Sequence, residues 1–308
     1  MRKPKQDVEL PVGNVSLERE LGKYYQDFTQ SLPHFEENYF GDFDNNGLPM
    51  VGFGDNAIYN QIYIIQFGLI AHDLVLSGIE LDKNMNRLKL SIQWLEENEE
   101  KVGEKIVWRN HFDNPRYGLE SGWISGMYQG QAMSLYLRYG QMIGEEEKYT
   151  SKAEKVYAFF DVNYENGGVK RFDNNGLLWF EEYPSMDPSF VLNGFVYALF
   201  GLFDLWRITE DIEVKQTIDS CIKTLKESLH LYDSGYWSVY DQLKKELATK
   251  YYHQNIHIPL MEVLYMLTGE EIFDSYHKRW KKQLNSGFSR FWVKVMYRIQ
   301  PRLRRISG

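Results

Sequence analysis

Four long apolar stretches recur along this chain at intervals of roughly 60–70 residues, each led by a polar and aromatic run. They are YNQIYIIQFGLIAHDLVL from Tyr59, SGMYQGQAMSLYLRYGQMI from Ser125, SFVLNGFVYALFGLFDLW from Ser189 and YHQNIHIPLMEVLYMLTG from Tyr252. A helix that is apolar nearly all round has to be enclosed by others. Between these stretches lie NRLKLSIQWLEENEE from Asn86, SKAEKVYAFFDVNY from Ser151, IEVKQTIDSCIKTLKESLHLY from Ile212 and EIFDSYHKRWKKQL from Glu271. Their apolar residues keep a helical period among charges, which marks helices with one wet face. A repeat of this length signals a helical array. Inner helices alternating with outer ones predict a mainly α fold, an (α/α) toroid-type helical barrel. Inner helices of such a ring run the same way, so their polar leads gather at one end and form a cleft.

Short β-hairpins are expected over that cleft, from GGVKRFDNNGLLWFEEYPSMD at Gly167 and SGYWSVYDQLKKELATKYYHQ at Ser234. Asn175-Gly176 predicts a two-residue turn between VKRF and LLWF. The same FDNNGL string stands at Phe43 to Leu48 and predicts a similar hairpin there. The chain divides into an N-terminal extension (1–49), a helical domain (50–285) and a basic amphipathic tail (286–308).

Hydrophobic residues are 43% and charged residues 25% of the 308, enough apolar surface for a sizeable core. Aromatics reach 16%, with 22 Tyr and 8 Trp, and such rings suit both helix packing and the faces of sugars. Cys221, the one cysteine, reads as a buried thiol in a reducing compartment. MRKPKQDVEL has basic residues without an apolar stretch after them, so a cytoplasmic chain is expected. The apolar run from Phe190 to Trp206 is short for a membrane span and carries Asn193 and Asp204, which favours a buried helix. Net charge is −8; the tail contributes six cations and no acid, leaving −14 on the rest. An acidic body is not a nucleic-acid binder.

Asp42-x-Asp44-x-Asn46-Gly47 resembles the start of a calcium loop, but Phe53 stands at the twelfth position where a bidentate Glu is needed. His253 and His257 are four apart, yet no third ligand accompanies them, so hydrogen bonding is expected in place of a metal. No phosphate loop or nucleophile elbow is present. What remains is a set of tyrosines and carboxylates at the inner-helix leads: Glu181-Glu182-Tyr183-Pro184, Asn193, Tyr240-Asp241 and Tyr252-His253. Successive side chains on an extended segment face opposite ways, so only one of Glu181 and Glu182 can enter a shared site.

The run EEYPSMDPSFVLNGFVYALFGLFDLW, from Glu181 to Trp206, resembles a block of the C-terminal domain of glucuronyl C5-epimerases. Tyr59-Asn60 with Gln66-Phe67-Gly68-Leu69, Gln129-Gly130-Gln131-Ala132-Met133, Tyr240-Asp241, and Tyr252-His253 ahead of His257-Ile258 agree in order and approximate spacing, over roughly residues 50–285. The resemblance implies inversion of D-glucuronate to L-iduronate within an acidic polysaccharide. Glu182 and Tyr252 would be the opposed acid/base groups, Tyr183 and Tyr240 would support the uronate, and Asn193 would bind substrate. Lys170 and Arg171 are candidate donors to the uronate carboxylate, with Gln129, Gln131 and His253 as further binding residues. No cofactor and no metal are expected; a homodimer stays open. The sequence departs from the family where an Arg would follow Tyr240 by three residues, and Leu243 stands instead. A uronate lyase, a glycoside hydrolase pairing Glu182 with Asp241 or Asp187, and a non-catalytic sugar-binding relative are the alternatives.

In the tail, helical spacing sets Arg290, Lys294 and Arg298 on one side beside Phe291, Val295 and Ile299. Pro301 is expected to end the helix, freeing Arg302, Arg304 and Arg305. Docking on the acidic body stays open beside peripheral contact with anionic lipid at the inner membrane face or with a membrane-bound sugar transferase.

Overall fold

The computed structural model describes residues 8–307, with side chains to residue 299. After a short α1 (Leu32–Glu36), the helices come in pairs: α2 (Gln61–Leu76) with α3 (Leu81–Glu97), α4 (Gly126–Ile143) with α5 (Glu146–Tyr157), and α6 (Leu192–Thr209) with α7 (Ile212–Ser228). A single turn, α8 (Lys250–Tyr252), and a π-helical turn (His253–His257) lead into α9 (Ile258–Thr268), which pairs with α10 (Glu271–Asn285). The first member of each pair is buried nearly all round, and the second buries one stripe. α4 packs on both α2 and α6. The fold is a mainly α (α/α) toroid type, with inner and outer helices where the alternation of apolar and charged stretches puts them.

Local chemistry sets the ends of these helices. The Asn60 side chain accepts from the Ile62 N–H at 3.2 Å to start α2, and Asp211 accepts from the Glu213 N–H at 2.7 Å to start α7. Gly144 and Gly269 close α4 and α9 in the left-handed region, at φ 75° and 69°. The α4–α6 crossing depends on absent side chains: a Cβ on Gly201 would lie 2.3 Å from the Gly130 carbonyl oxygen, and one on Gly130 would lie 2.5 Å from Ala198 Cα.

A charged cluster is sealed in this core. Asp204 on α6 accepts from Ser134 Oγ at 2.6 Å, from both terminal nitrogens of Arg138 and from Arg207 Nη1 at 3.4 Å, and all three charged side chains are fully buried. Arg207 also donates to the carbonyls of Glu18 (2.7 Å) and Glu20 (2.8 Å), tying the N-terminal segment to α6. That segment has little regular structure, yet Leu10, Leu21, Tyr24, Tyr25, Phe28 and Phe35 belong to the same core as the helices. Gln26 bridges it further, donating to the carbonyls of Leu10 and Asn255 and accepting from the Tyr197 hydroxyl. Cys221 is buried on α7. Among the described residues, no helix is long and apolar enough to cross a membrane.

Two small hairpins accompany the helices: β1 (Glu100–Val102) with β2 (Lys105–Val107), and β3 (Lys170–Phe172) with β4 (Leu178–Phe180). The second differs from the two-residue turn expected at Asn175-Gly176. Phe172 pairs with Leu178, so five residues form the loop, and of the Asn-Gly pair only Gly176 takes a positive φ where the two-residue type I′ turn needs both. Asp173 organises the loop instead, accepting from the Asn175 and Leu177 N–H groups at 2.8 and 2.9 Å. Asp44 does the same for Asn46 and Leu48, so the two FDNNGL strings build the same turn. A chain stretch from Ser234 to Thr249 carries only isolated bridges, Asp233 to Ser238 and Val239 to Leu247.

The last helix, α11 (Gly287–Ser307), does not stop at Pro301. The proline removes one hydrogen bond, to the carbonyl four residues earlier, and the backbone stays helical on both sides. The side chains of Arg302, Arg304 and Arg305 lie outside the described residues.

Candidate active site

The N-terminal turns of all four inner helices converge on one cavity of about 600 Å3. α2 brings Tyr63 and Gln66, α4 brings Met127 and Tyr128, α6 brings Asn193 and Tyr197, and the turns before α9 bring Tyr252 and Asn255. Its volume falls in the range of about 300–1,000 Å3 usual for small-ligand sites.

Glu182 and Tyr183 enter the cavity from the loop after β4. Alternation separates the two glutamates. Glu181 turns inward, accepting from Ser189 Oγ at 2.6 Å and from the Ser189 and Phe190 N–H groups at 3.1 and 3.0 Å, with Arg171 Nε at 3.4 Å. Every strong donor near it is a structural one, and it leaves the cavity wall to Glu182. Glu182 accepts from Asn193 Nδ2 at 3.3 Å. Burial pushes its carboxyl up to about 7, against the pull of the Tyr183 and Asn193 side chains and with the help of the neighbouring charges of Asp241 and Glu181. Space for it exists because residue 194 is glycine: a Cβ there would sit 2.3 Å from Glu182 Oε2 and 2.4 Å from its Cβ. Gly194→Ala is therefore expected to displace the carboxylate and cut turnover about a hundredfold, the size of effect a shift near 1 Å can have. Its thermal midpoint should move far less than its rate; unchanged turnover would show that Glu182 need not hold this position.

Tyr252 stands on the same cavity, with its N–H donating to the Thr249 hydroxyl at 3.3 Å. Its ring meets that of Tyr240 edge to face at 4.9 Å. Burial first, then the charge of Glu182, raises its hydroxyl well above the ordinary phenol value, so Tyr252 is a proton donor at neutral pH. Tyr183 stacks on Tyr117 at 4.2 Å and 14°. Tyr117 donates to Asp241 Oδ2 at 2.8 Å, and the Arg116 guanidinium lies 5.9 Å over the Tyr240 ring while pairing with Glu246 at 2.9 Å. A layer of rings and one guanidinium thus backs both Tyr183 and Tyr240.

Glu182, Tyr183, Tyr252 and Asn193 line the cavity, and Tyr240 abuts Tyr252 from behind. The other expected residues do not line it. Lys170 pairs with Asp161 at 2.6 Å along the hairpin, and Arg171 is spent on the carbonyls of Ser185 and Met186 and on the Tyr164 ring. Adjacent on β3, the two point to opposite faces of the hairpin, and each is taken up by these partners instead of the cavity. Gln129 and Gln131 face the helix core: Gln129 donates to the Trp108 carbonyl at 3.4 Å, and Gln131 accepts from Gln66 at 3.3 Å, one step behind the cavity wall. On that helix the residues facing the cavity are Met127 and Tyr128. His253 stacks on Trp237 at 3.7 Å, with its Nδ1 2.8 Å from Ser238 Oγ and its Nε2 3.2 Å from the Trp280 carbonyl. His257 meets the same Ser238 Oγ at 2.8 Å. Lys250 brings a cation to the cavity in place of Lys170 and Arg171.

Burial moves four of these groups in opposite directions: Glu181 and Glu182 up to about 7, His253 and His257 down to about 3. Raised carboxyls contribute stability that is complete below their unfolded value of 4.5 and is lost as pH rises through 7. Depressed imidazoles contribute stability that is complete above 6.5 and is lost as pH falls towards 3. Between those unfolded values the two pairs offset one another, and stability should stay nearly level. At lower pH only the histidines still respond, at ~1.4 kcal/mol per pH unit each, so these groups together should cost about 3 kcal/mol per unit. Urea midpoints measured from neutral pH downwards test this; a steep loss starting already at weakly acid pH would contradict it.

Part of the cavity wall comes from outside the inner helices. Val8, His34, Phe35, Tyr39 and Phe40 of the N-terminal segment line the cavity, and His34 lies against Tyr39 at 5.1 Å while Phe40 meets Tyr63 at 4.9 Å. No motif announced this wall. Aromatic density between residues 34 and 40 was its only trace in the sequence.

Comparison with known proteins connects with this geometry. The description of the D-glucuronyl C5-epimerase C-terminus matches residues 101–282, which include Glu182, Tyr183, Asn193, Tyr240 and Tyr252. Over 181 residues the chain is 35% identical to an uncharacterized protein of Methanocaldococcus jannaschii, covering 58% of each. Over 205 residues it is 30% identical to the D-glucuronyl C5-epimerase of Caenorhabditis elegans, covering 61% of this chain and 33% of that one. The aligned part thus spans little more than half of the first relative and a third of the second. Among solved structures, cellobiose 2-epimerase from Bacillus thermoamylovorans superposes with a TM-score of 0.49 at 11% identity, over 82% of this chain and 66% of that one. With more than half of its length matched, including the loop after β4 and the leads of α4, α6 and α9, this chain belongs to the family of the D-glucuronyl C5-epimerase C-terminus.

Proposed function

We propose that the protein inverts C5 of D-glucuronate residues to L-iduronate within an acidic polysaccharide. The observation that carries this reading is the pairing of Glu182, a carboxylate poised near neutrality, with Tyr252, a phenol held protonated, on one cavity of a domain in this family. A base should titrate near the working pH, and an acid should hold its proton there. In the gluco direction Glu182 takes the C5 proton, the electron pair of the broken C–H bond passes into the uronate carboxyl as an enediolate, and the Tyr252 hydroxyl delivers a proton to the opposite face. Glu182 is then neutral and Tyr252 a phenolate, which is the state needed for the ido direction; proton exchange with water resets the pair. Developing charge on the enediolate needs donors placed for it. Lys250, Asn255 and the Tyr183 hydroxyl are the groups on the cavity that supply them. The aromatic wall of His34, Tyr39 and Phe40 offers apolar faces to a neighbouring sugar ring.

The glycosidase alternative has less support. Asp241 is occupied by Tyr117 and by the N–H groups of Lys244 and Lys245, and neither Asp241 nor Asp187 lines the cavity. A lyase shares the first deprotonation. Incubation with a glucuronan such as heparosan in heavy water separates the two: the epimerase reading expects deuterium at C5 and new L-iduronate, without an ultraviolet-absorbing unsaturated sugar. Appearance of the unsaturated sugar, or no exchange on any uronan tried, would overturn it.

A further inference from the structure

Helix α11 is docked and amphipathic at once. Its inner side is seated on the body: Val293 is buried with Trp237, Val239 and Leu247, Met296 packs beside them, and the Tyr297 hydroxyl bonds the Ala248 carbonyl. Docking leaves the opposite side open. Phe288 is 68% exposed, Phe291 61%, Trp292 41% and Ile299 37%. At helical spacing these four fall on one stripe, and Arg290, Lys294 and Arg298, each exposed, run four apart along its flank. Lys281 and Lys282, exposed near the end of α10, add to the same sign of charge, and α11 carries no acidic residue. Solvent-facing aromatics of this size are unusual on a helix whose inner face is already satisfied.

We infer that this outer face of α11 seats the protein on an anionic lipid bilayer, the aromatic stripe in the headgroup region and the cations against lipid phosphates. Charge complementarity selects the anionic surface. The apolar stripe selects a bilayer over a soluble polyanion, because a hydrated polysaccharide offers no apolar layer to bury four large side chains. The cavity is built from other elements, so this contact is independent of the chemistry proposed for it.

Full-length protein is sedimented with vesicles of phosphatidylcholine alone and of phosphatidylcholine mixed equally with phosphatidylglycerol. Pelleting is expected with the mixed vesicles only, weakened by salt. Reversing Arg290, Lys294 and Arg298 to Glu should weaken it by on the order of a hundredfold. Replacing Phe291 and Trp292 with Ser should also abolish pelleting, and because all five side chains are exposed, the thermal midpoint and activity on soluble substrate should be unchanged in both variants. Equal pelleting with neutral vesicles, pelleting unaffected by either variant, or binding to a soluble polyanion without binding to mixed vesicles would overturn the inference.

Discussion

Glu182→Gln is expected to lower C5 inversion at least about a thousandfold while leaving the fold intact, since proton transfer by a positioned group is worth about 10²–10⁴ in rate. The amide keeps the size of the carboxylate and can still accept from Asn193, but it cannot take a proton from carbon. Tyr252→Phe should lose inversion to a similar degree by a different route. With the D-glucuronate polymer in heavy water, the Phe variant retains a base on the first face, so C5 exchange can continue without inversion. The Gln variant should lose both. Wild-type kcat/KM should fall about tenfold per pH unit once pH drops below the value near 7 at which Glu182 takes up a proton. Full activity in either variant would remove that residue from the mechanism, and a Gln variant that still exchanges C5 of D-glucuronate would exchange the two faces.

Asp204→Asn should cost about 3–5 kcal/mol of stability, the usual penalty for leaving a buried charge without its partner. Asp204 gathers Ser134, Arg138 and Arg207 in a fully buried cluster. The amide would leave two guanidiniums uncompensated and turn a donor towards one of them. Arg207 keeps the carbonyls of Glu18 and Glu20, but Arg138 keeps only the Ser134 carbonyl. Adding Arg138→Met to Asp204→Asn should recover part of the loss, because it removes the guanidinium left with the fewest partners while Arg207 keeps its two carbonyls. Chemical denaturation of the two variants measures both effects; a loss under about 1 kcal/mol for Asp204→Asn would mean that water reaches the cluster.

The helical frame was legible because burial leaves an unambiguous pattern. A segment such as LNGFVYALFGLFDLWRIT can only lie inside other helices, and its charged successor can only lie outside them. Choosing between Glu181 and Glu182 was half legible: alternation stated that one of them faces the site, and the donors of Ser189, Phe190 and Arg171 decide which. Rotation within a helix lead was not legible. Tyr128 and Gln129 are adjacent polar-tipped residues, and only the packing of α4 on α6 turns the first to the cavity and the second to the core. Arg171 was misplaced for a related reason, since a lone cation near an anionic site looks like a ligand until its loop carbonyls are seen. The N-terminal wall escaped altogether, having no period to read; buried polar contacts to residues far along the chain hold it in place.

Those contacts also govern when the site can exist. Gln26 waits for the carbonyl of Asn255, 229 residues later, and the carbonyl of Val8 accepts from the Asn255 side chain across 247. During synthesis the N-terminal wall is made before the turn that carries Tyr252, with only the α2 rings of Tyr63 and Phe67 at hand to meet Phe35 and Phe40. It can settle only after the turn that carries Tyr252 has followed it out. The cavity is therefore complete only after the chain from Val8 to Asn255 has been made, and a nascent chain interrupted between those residues holds one wall without the turn that carries Tyr252.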